Sequence, residues 1–452
     1  MRKGEKIIIV GGNAAGPAAG AKAKRVNPDA EVILFEAGDY ISTGTCEIPY
    51  VLSNEIKNTE DIIFFNVDRF YAQKGVKVYV NHFVEEINTR EKIVKARNLK
   101  DNSIADYNYD KLILATGSTV KKESSLKDAE NSFTLKTISD LVHIRKYIEF
   151  NKVRNVVIIG SGYIGLETAE ALVNLGCSSV SLVEKAAMPF PSAEPEIQAL
   201  IKELLIKYNI DFYPTAEIKP VFNNNKINAV NINGRAVATD LVISAIGFSP
   251  NIYLAVKANL KLGTTGALMV DTRLRTSDFN IYAAGDLIEV TDFVTGRPVY
   301  IPFASYAYEH GHIAGENAAG GNVSVSPVIK NSGLRLFDKY YASVGMTTNE
   351  AEGSKILIQS VTDIQADIAS VMPGAGKVFG KIVFERLGSR ILGASFFGGR
   401  EVEGFVNVVS TLIKLKQPAH LLAELNYIYT PPLSPLKNLL SSLGKKIKSI
   451  KK

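Results

Sequence analysis

The sequence predicts an α/β fold with two Rossmann-like dinucleotide-binding units followed by a C-terminal α+β region. Three observations carry this expectation. Two glycine-rich turns each follow a short apolar strand and open a helix. An acidic residue ends the next strand about twenty positions beyond each turn. From about residue 326 onward, strand patterns such as Lys381–Glu385 and Ile391–Ser395 precede further helices.

At 452 residues the chain exceeds one ordinary core and predicts two to four domains. Its apolar fraction of 46% and charged fraction of 22% are those of a water-soluble globular protein. The longest N-terminal apolar run, Ile7 to Val10, reads as a buried strand rather than a signal peptide, and no run of about 18 apolar residues predicts a membrane span. Two cysteines argue against a disulfide framework and for a reducing, cytoplasmic setting. A net charge of +6 spread over this length does not indicate nucleic-acid binding and suits an anionic small ligand.

The first unit begins with the strand Lys6–Val10. The turn Gly11-Gly12-Asn13-Ala14-Ala15-Gly16 and an alanine-rich helix follow, and the strand Val32–Phe35 ends in Glu36. Glycines let the backbone approach a pyrophosphate, the free N–H groups at the helix start bind it, and Glu36 accepts from an adenosine ribose. Asn13 stands where the middle glycine of the G-x-G-x-x-G pattern usually lies. The second unit keeps all three glycines. Val156–Ile159 leads to Gly160-Ser161-Gly162-Tyr163-Ile164-Gly165, with Glu167 in the helix, and Val180–Val183 ends in Glu184. An acid there favours an unphosphorylated ribose, hence NADH over NADPH; Lys185 beside it softens that preference. Two supporting strands end in small residues. Tyr109 to Ala115 leads to Thr116 and Gly117, and Asn280 to Ala284 leads to Gly285 and Asp286, whose carboxylate could accept from a sugar-alcohol chain. Ala245-Ile246-Gly247-Phe248-Ser249-Pro250-Asn251 is a further turn.

Cys46 lies in Ser42-Thr43-Gly44-Thr45-Cys46-Glu47-Ile48-Pro49-Tyr50, just beyond the first unit's acid. Glycine, threonines and a proline turn do not read as an apolar core, so this thiol is a candidate redox group. Cys177, at a helix-to-strand turn, reads as structural.

Together these motifs resemble the pyridine nucleotide–disulfide oxidoreductases. The resemblance implies FAD on Gly11, Gly12, Asn13, Ala14, Ala15, Gly16, Glu36, Thr116, Gly117 and Asp286. It implies NADH or NADPH on Gly160, Gly162, Tyr163, Ile164, Gly165, Glu184 and Gly247. It also implies a split FAD domain (1–118 and 252–325), an inserted NAD(P)H domain (119–251), and a dimerisation domain (326–452) that makes a homodimer. The Cys46 segment is similar to the single-cysteine branch: coenzyme A-disulfide reductases, NADH oxidases, NADH peroxidases and sulfur reductases. Val51 replaces the second cysteine of glutathione-reductase-like members, and Ala14 replaces the histidine of the peroxidase and oxidase members.

In coenzyme A-disulfide reductases a Tyr-x-Pro-Pro segment reaches the partner's active site; Tyr429 matches that tyrosine and Lys437 a basic coenzyme A contact. The resemblance also implies substrate contacts at Lys22, Arg25, Ser42, Thr45 and Tyr308. Thr45 replaces a usual asparagine, Thr43 a usual phenylalanine, and Val371 and Met372 stand in a stretch that elsewhere carries tyrosines.

A helix starting at Cys46, with Pro49 in its first turn, is expected to lower the thiol pKa. The sulfur then cycles between thiolate and a mixed disulfide or sulfenic acid. Tyr429 is the candidate acid, with Tyr427 second. The expected function is an NAD(P)H- and FAD-dependent reductase of coenzyme A disulfide or a related small disulfide, persulfide or polysulfide. The alternatives are an NADH oxidase or peroxidase acting through a sulfenic acid, and a flavin-bound redox sensor. No histidine spacing predicts a metal site; His82, His143, His310, His312 and His420 read as surface or capping residues, and the lysine-rich end from Gly444 as a solvated tail.

Overall fold

The computed structural model describes residues 4–126 and 129–450; Arg2, Lys3, Lys451 and Lys452 of the two basic ends lie outside them. Two parallel five-stranded sheets and one antiparallel five-stranded sheet, the largest among the described residues, organise the fold.

In the first sheet the spatial order is Ile281–Ala283, Lys111–Leu114, Lys6–Val10, Glu31–Phe35, Lys77–Tyr79, all parallel. Ile7, Ile8, Ile9, Leu112, Ile113 and Leu114 have no exposed surface. Such continuous apolar runs are what a sheet covered on both faces requires. The helix Ala15–Val26 lies against the helix Ala304–Ala318 with almost no gap: a Cβ on Gly311 would sit 2.3 Å from the Ala15 carbonyl oxygen, and one on Gly315 2.1 Å from that of Ala19. The sheet is therefore completed, and the first helix covered, by chain that returns after the second unit.

The second sheet runs Ser132–Phe133, Leu241–Ser244, Asn155–Ile159, Ser179–Val183, Ile210–Tyr213, again all parallel. The two chain passages between the parallel sheets pair with each other: Ser118–Val120 runs antiparallel to Phe248–Pro250. The third sheet, ordered Asn331–Leu336, Lys339–Gly345, Ile391–Gly398, Lys377–Glu385, Ile358–Ala366, is antiparallel throughout. The helices Val402–Lys414 and Leu439–Ile450 pack on it through buried Val406, Val409, Leu443 and Ile447.

That last helix corrects the expected solvated tail. Leu439, Leu440, Leu443 and Ile447 fall on one buried face, while Lys446 pairs with Asp363 at 2.9 Å and Lys448 with Glu424 at 2.7 Å. Apolar residues at helical spacing, with lysines on the remaining faces, suit an amphipathic helix docked by its apolar face. Among the described residues no helix is long and apolar enough to cross a membrane.

One apolar cluster joins three regions. Ile48, Val51 and Leu52, just after Cys46, share it with Leu166 and Leu172 of the second unit and with Leu334 and Phe379 of the third sheet. A charged clasp sits at the same junction. The Arg335 guanidinium meets both Glu55 carboxylate oxygens at 2.7 and 2.5 Å, reaches Glu170 at 3.3 Å, and lies 4.6 Å over the Tyr50 ring. The Cys46 segment is thus anchored from below by both neighbouring layers.

Candidate active site

Each glycine-rich turn is shaped by close backbone approach. Gly11 has φ +113°, and a Cβ there would lie 2.1 Å from the Ala115 carbonyl oxygen; Gly160 repeats this with φ +101° and 2.5 Å to the Ala245 oxygen. L-residues rarely adopt such φ values, so both positions need glycine. Beside the turns, Glu36 accepts from the Gly12 and Gly38 N–H groups, both at 2.6 Å, and Glu184 accepts from the Ser161 N–H (2.9 Å), the Ser161 hydroxyl (2.7 Å) and the Ala186 N–H (2.9 Å). Both carboxylates are held at the end of the second strand of their unit. Asn13, at the position of the missing glycine, accepts from the Thr43 N–H at 2.8 Å and so ties the first turn to the Cys46 segment.

The two helices that follow the turns begin without a capping side chain and without an acid in the first turn: Ala14 and Gly162 occupy their N-cap positions. By contrast the helices Ile138–Asn151 and Thr348–Gly353 carry full capping boxes on Thr137 and Thr347. Bare helix starts leave N–H groups and a positive dipole end for an anionic group. A Cβ on Gly162 or Gly117 would meet nothing within 4 Å, so open space adjoins both. The residues fit two pyrophosphates, and FAD and NAD(P)H each supply one.

Asp286 lies beside the start of the first helix: a Cβ on its neighbour Gly285 (φ +77°) would sit 3.1 Å from the Ala15 Cβ. Burial pushes the Asp286 carboxyl up, partly offset by the Lys136 charge and the Ser118 hydroxyl. Thr116 donates to the Asn251 carbonyl at 3.0 Å, and the Gly247 carbonyl accepts from the Lys121 N–H at 2.9 Å, fixing the passages between the two nucleotide units. Tyr163 points away from its turn: its buried hydroxyl donates to Ser332 of the third sheet at 2.6 Å, its ring stands edge-on to Phe190, and burial pushes its pKa far up. Ile164 is half-buried behind it.

Cys46 sits in a single 3-10 turn, Thr45–Glu47, followed by the five-residue helix Ile48–Leu52 with Pro49 at its start. The side chain is accessible and the thiol free, as is that of half-buried Cys177. The thiol pKa is raised, which corrects the expected lowering. Desolvation by the surrounding protein is the largest cause; the carboxylates of Glu47, Glu167 and Asp286 add to it, and the Thr45 hydroxyl opposes it. One short helix does not outweigh burial and three acids. Glu167 itself is pushed up to about 7 by burial, with Glu170 adding and Arg335 opposing.

Cys46 opens into a cleft of about 690 Å³. Its lining takes in one face of the first helix (Ala14, Pro17, Ala18, Ala21, Arg25), the rings of Phe64, Phe65 and Phe70, and Ser42, Thr43 and Thr45 of the Cys46 segment. Lys24, Arg25 and Lys74 also line it, with Tyr308 and His312, whose rings lie 4.6 Å apart. The Lys24 ammonium is already committed, donating to the Pro28 and Ala30 carbonyls at 2.5 and 2.9 Å. Arg25 is exposed, and its charge, after burial, helps hold His312 down.

Of the sequence-predicted substrate residues, Arg25, Ser42, Thr45 and Tyr308 line this cleft. Lys22 does not: it pairs with Glu316 at 2.8 Å. Tyr429 and Lys437 are exposed on the C-terminal segment and do not line the cleft of their own protomer. Tyr427 donates to the Leu422 carbonyl at 2.8 Å, and burial pushes its pKa far up, so it is a poor proton source. His310 is buried rather than at the surface, and burial pushes it down to about 4. The aromatic wall, Lys74 and His312 escaped the sequence reading. The helical spacing of Ala14, Pro17, Ala18, Ala21 and Arg25 is the one sequence signal that would have disclosed a shared face.

Residues 5–311 match the pyridine nucleotide-disulphide oxidoreductase family, and residues 334–439 match its dimerisation domain. The chain belongs to this family. An NADH oxidase of Methanocaldococcus jannaschii is 31% identical over 96% of this chain and 97% of its own length. A CoA-dependent NAD(P)H sulfur oxidoreductase of Pyrococcus abyssi is 30% identical over 98% of each chain. Among solved structures, an NAD-dependent persulfide reductase from A. fulgidus superposes with a TM-score of 0.94 at 30% identity, covering 99% of this chain and 83% of its own. This oxidoreductase therefore has the family's FAD and NAD(P)H chemistry, and the match to the family's dimerisation domain takes in most of the third sheet.

Proposed function

We propose that this chain reduces coenzyme A disulfide, or a coenzyme A persulfide or polysulfide, with electrons from NADH. The observation that carries the proposal is the cleft: an accessible thiol in its lining, alanine and phenylalanine side chains around it, and the cations Arg25 and Lys74. A pantetheine arm is long and largely apolar, and it ends in phosphates; the cleft matches both properties. FAD, when bound, relays the electron pair of the nicotinamide to the sulfur. The Cys46 thiolate attacks one sulfur of the substrate disulfide; the new S–S bond forms as the old one breaks, and the leaving thiolate takes a proton. Two electrons then cleave the mixed disulfide and return the Cys46 thiolate. In sum, NADH, one proton and the disulfide yield NAD+ and two thiols.

The reading gives each residue a role. Gly11, Gly12 and Gly16 shape the FAD pyrophosphate turn, Glu36 takes the ribose, and Asp286 takes the ribityl chain; Glu184, fixed by three donors, takes the NADH ribose. Residues 1–118 with 252–325, 119–251 and 326–452 act as the FAD, NAD(P)H and dimerisation domains. Exposed Val371, Ile428, Leu433 and Leu436 (67–88% accessible) make an apolar face suited to a second copy, which brings Tyr429 and Lys437 to the partner's cleft.

Purified protein is tested for NADH consumption with coenzyme A disulfide and with oxygen, and Cys46 is examined by mass spectrometry. Faster turnover with the disulfide and a coenzyme A adduct on Cys46 support the reading; turnover with oxygen alone, with a sulfenic acid, overturns it.

A further inference from the structure

Lys136 lies outside both nucleotide fingerprints, yet it sits where the two nucleotide units are joined. It precedes the capping residue Thr137 of the helix Ile138–Asn151, in the stretch leading from the second sheet's first strand. Its ammonium donates to the Ser118 hydroxyl at 2.7 Å and to the Ser118 carbonyl, and lies 5.1 Å from the centre of the Phe248 ring. Ser118 and Phe248 belong to the two passages of chain between the parallel sheets. The Ser118 hydroxyl in turn donates to the Asp286 carboxylate at 3.1 Å, and Tyr300 donates to the Asp286 backbone carbonyl at 2.9 Å.

The lysine sets the polarity of this chain. An ammonium carries donors only, so the Ser118 oxygen accepts from it, and the hydroxyl proton is left for Asp286 or the Tyr300 oxygen, of which the carboxylate is the stronger acceptor. A serine alone would rotate between several acceptors. The lysine removes that freedom and places positive charge behind a carboxylate that burial otherwise disfavours. Burial pushes Lys136 down and Asp286 up, and each partly offsets the shift of the other. Asp286 is also close enough to Cys46 for its charge to raise the thiol pKa. The carboxylate thus lies near both the first helix start and the redox sulfur.

We propose that Lys136, through Ser118, is a positioning residue for FAD: it holds Asp286 oriented toward the ribityl chain from the far side of the domain junction. The inference rests on the reading of Asp286 as an FAD ligand, and the experiment separates the two. FAD release from holoenzyme is followed by the rise in free-flavin fluorescence on dilution, for wild type, Lys136→Met, Lys136→Arg, Ser118→Ala, Asp286→Asn and the double variant Lys136→Met/Ser118→Ala. Lys136→Met and Ser118→Ala each release FAD about tenfold faster, the loss typical of removing a hydrogen bond to a charged group. The double variant releases it no faster than the faster single one, because both changes break one chain, and Lys136→Arg recovers most of the retention. A lysine that merely packed the junction would lower thermal stability without moving FAD release. If Lys136→Met does not fold, Ser118→Ala, which keeps the cation and its ring contact, carries the test. Wild-type release from Lys136→Met or Ser118→Ala alongside fast release from Asp286→Asn overturns the relay and leaves Asp286 in its role. Wild-type release from Asp286→Asn overturns the Asp286 reading, and multiplicative effects in the double variant overturn the single chain.

Discussion

Replacing Arg25 by alanine tests the cleft where its chemistry is most selective. The guanidinium is exposed on the first helix, while its neighbour Lys24 spends its ammonium on two backbone carbonyls. A hydrogen bond between charged partners contributes about 1.5–3 kcal/mol when shielded, and an exposed pair about 1 kcal/mol or less. Arg25 belongs to the second class, so Arg25→Ala costs about 1 kcal/mol, or roughly fivefold in KM for coenzyme A disulfide at low salt. Lys74→Ala is expected to act similarly, and the pair to lose roughly twenty-fivefold if the sites are independent. Neither side chain takes part in the proposed exchange at sulfur, so kcat is unchanged. The control is a phosphate-free disulfide of the same pantetheine arm, whose KM both variants leave alone. Steady-state kinetics with the two disulfides at low and moderate salt is the assay. An equal loss for both disulfides, or a fall in kcat with constant KM, refutes the assignment of these cations to phosphates.

Further outcomes are fixed by single residues. Cys46→Ser keeps bound FAD, seen in the visible spectrum, but loses disulfide reduction; full activity would remove Cys46 from the reaction. Gly160→Ala forces a Cβ to within 2.5 Å of a carbonyl at φ +101°, so NADH binding is lost and thermal unfolding reports a cost of about 2 kcal/mol or more. In protein freed of FAD the raised Cys46 pKa delays iodoacetamide alkylation to a higher pH than for an ordinary thiol, and Glu47→Gln shifts the profile down. His310 is held neutral with its pKa near 4, whereas the unfolded chain binds a proton near 6.5. Its contribution is thus present above pH 6.5 and lost as pH falls toward 4, by roughly 3 kcal/mol, and denaturant melts of His310→Gln lack that slope.

Local features were legible in the sequence and long-range ones were not. Gly11, Gly160, Glu36 and Glu184 announce themselves because turn, helix start and strand end lie within one supersecondary unit. Gly285 and Asp286 were readable as a strand end, and their sheet position follows from the strand Ile281–Ala283 pairing with Lys111–Leu114. The cleft opposite the first helix was invisible: Phe64, Phe65, Phe70 and Lys74 follow no spacing rule relative to Cys46 and meet it only in three dimensions. The direction of the Cys46 pKa was misread for the same reason. Its helix is local, but Glu167 and Asp286 come from distant parts of the chain. Lys22 and Arg25 are three residues apart on one helix, yet Glu316 takes the first and leaves the second for the cleft.

The bare starts of the two nucleotide-facing helices have a consequence for how much of this protein a cell retains. The helices Ile138–Asn151 and Thr348–Gly353 are finished by their own threonines; the starts after the two glycine-rich turns are left open to a diphosphate. Each cofactor is then a missing piece of secondary structure, and its concentration enters the folding equilibrium directly. With FAD at a hundred times its dissociation constant, the folded state gains about 2.7 kcal/mol by mass action. Flavin supply would thereby set the lifetime of the chain against proteolysis as well as its activity, so that starvation for the vitamin precursor removes the enzyme rather than leaving an idle pool.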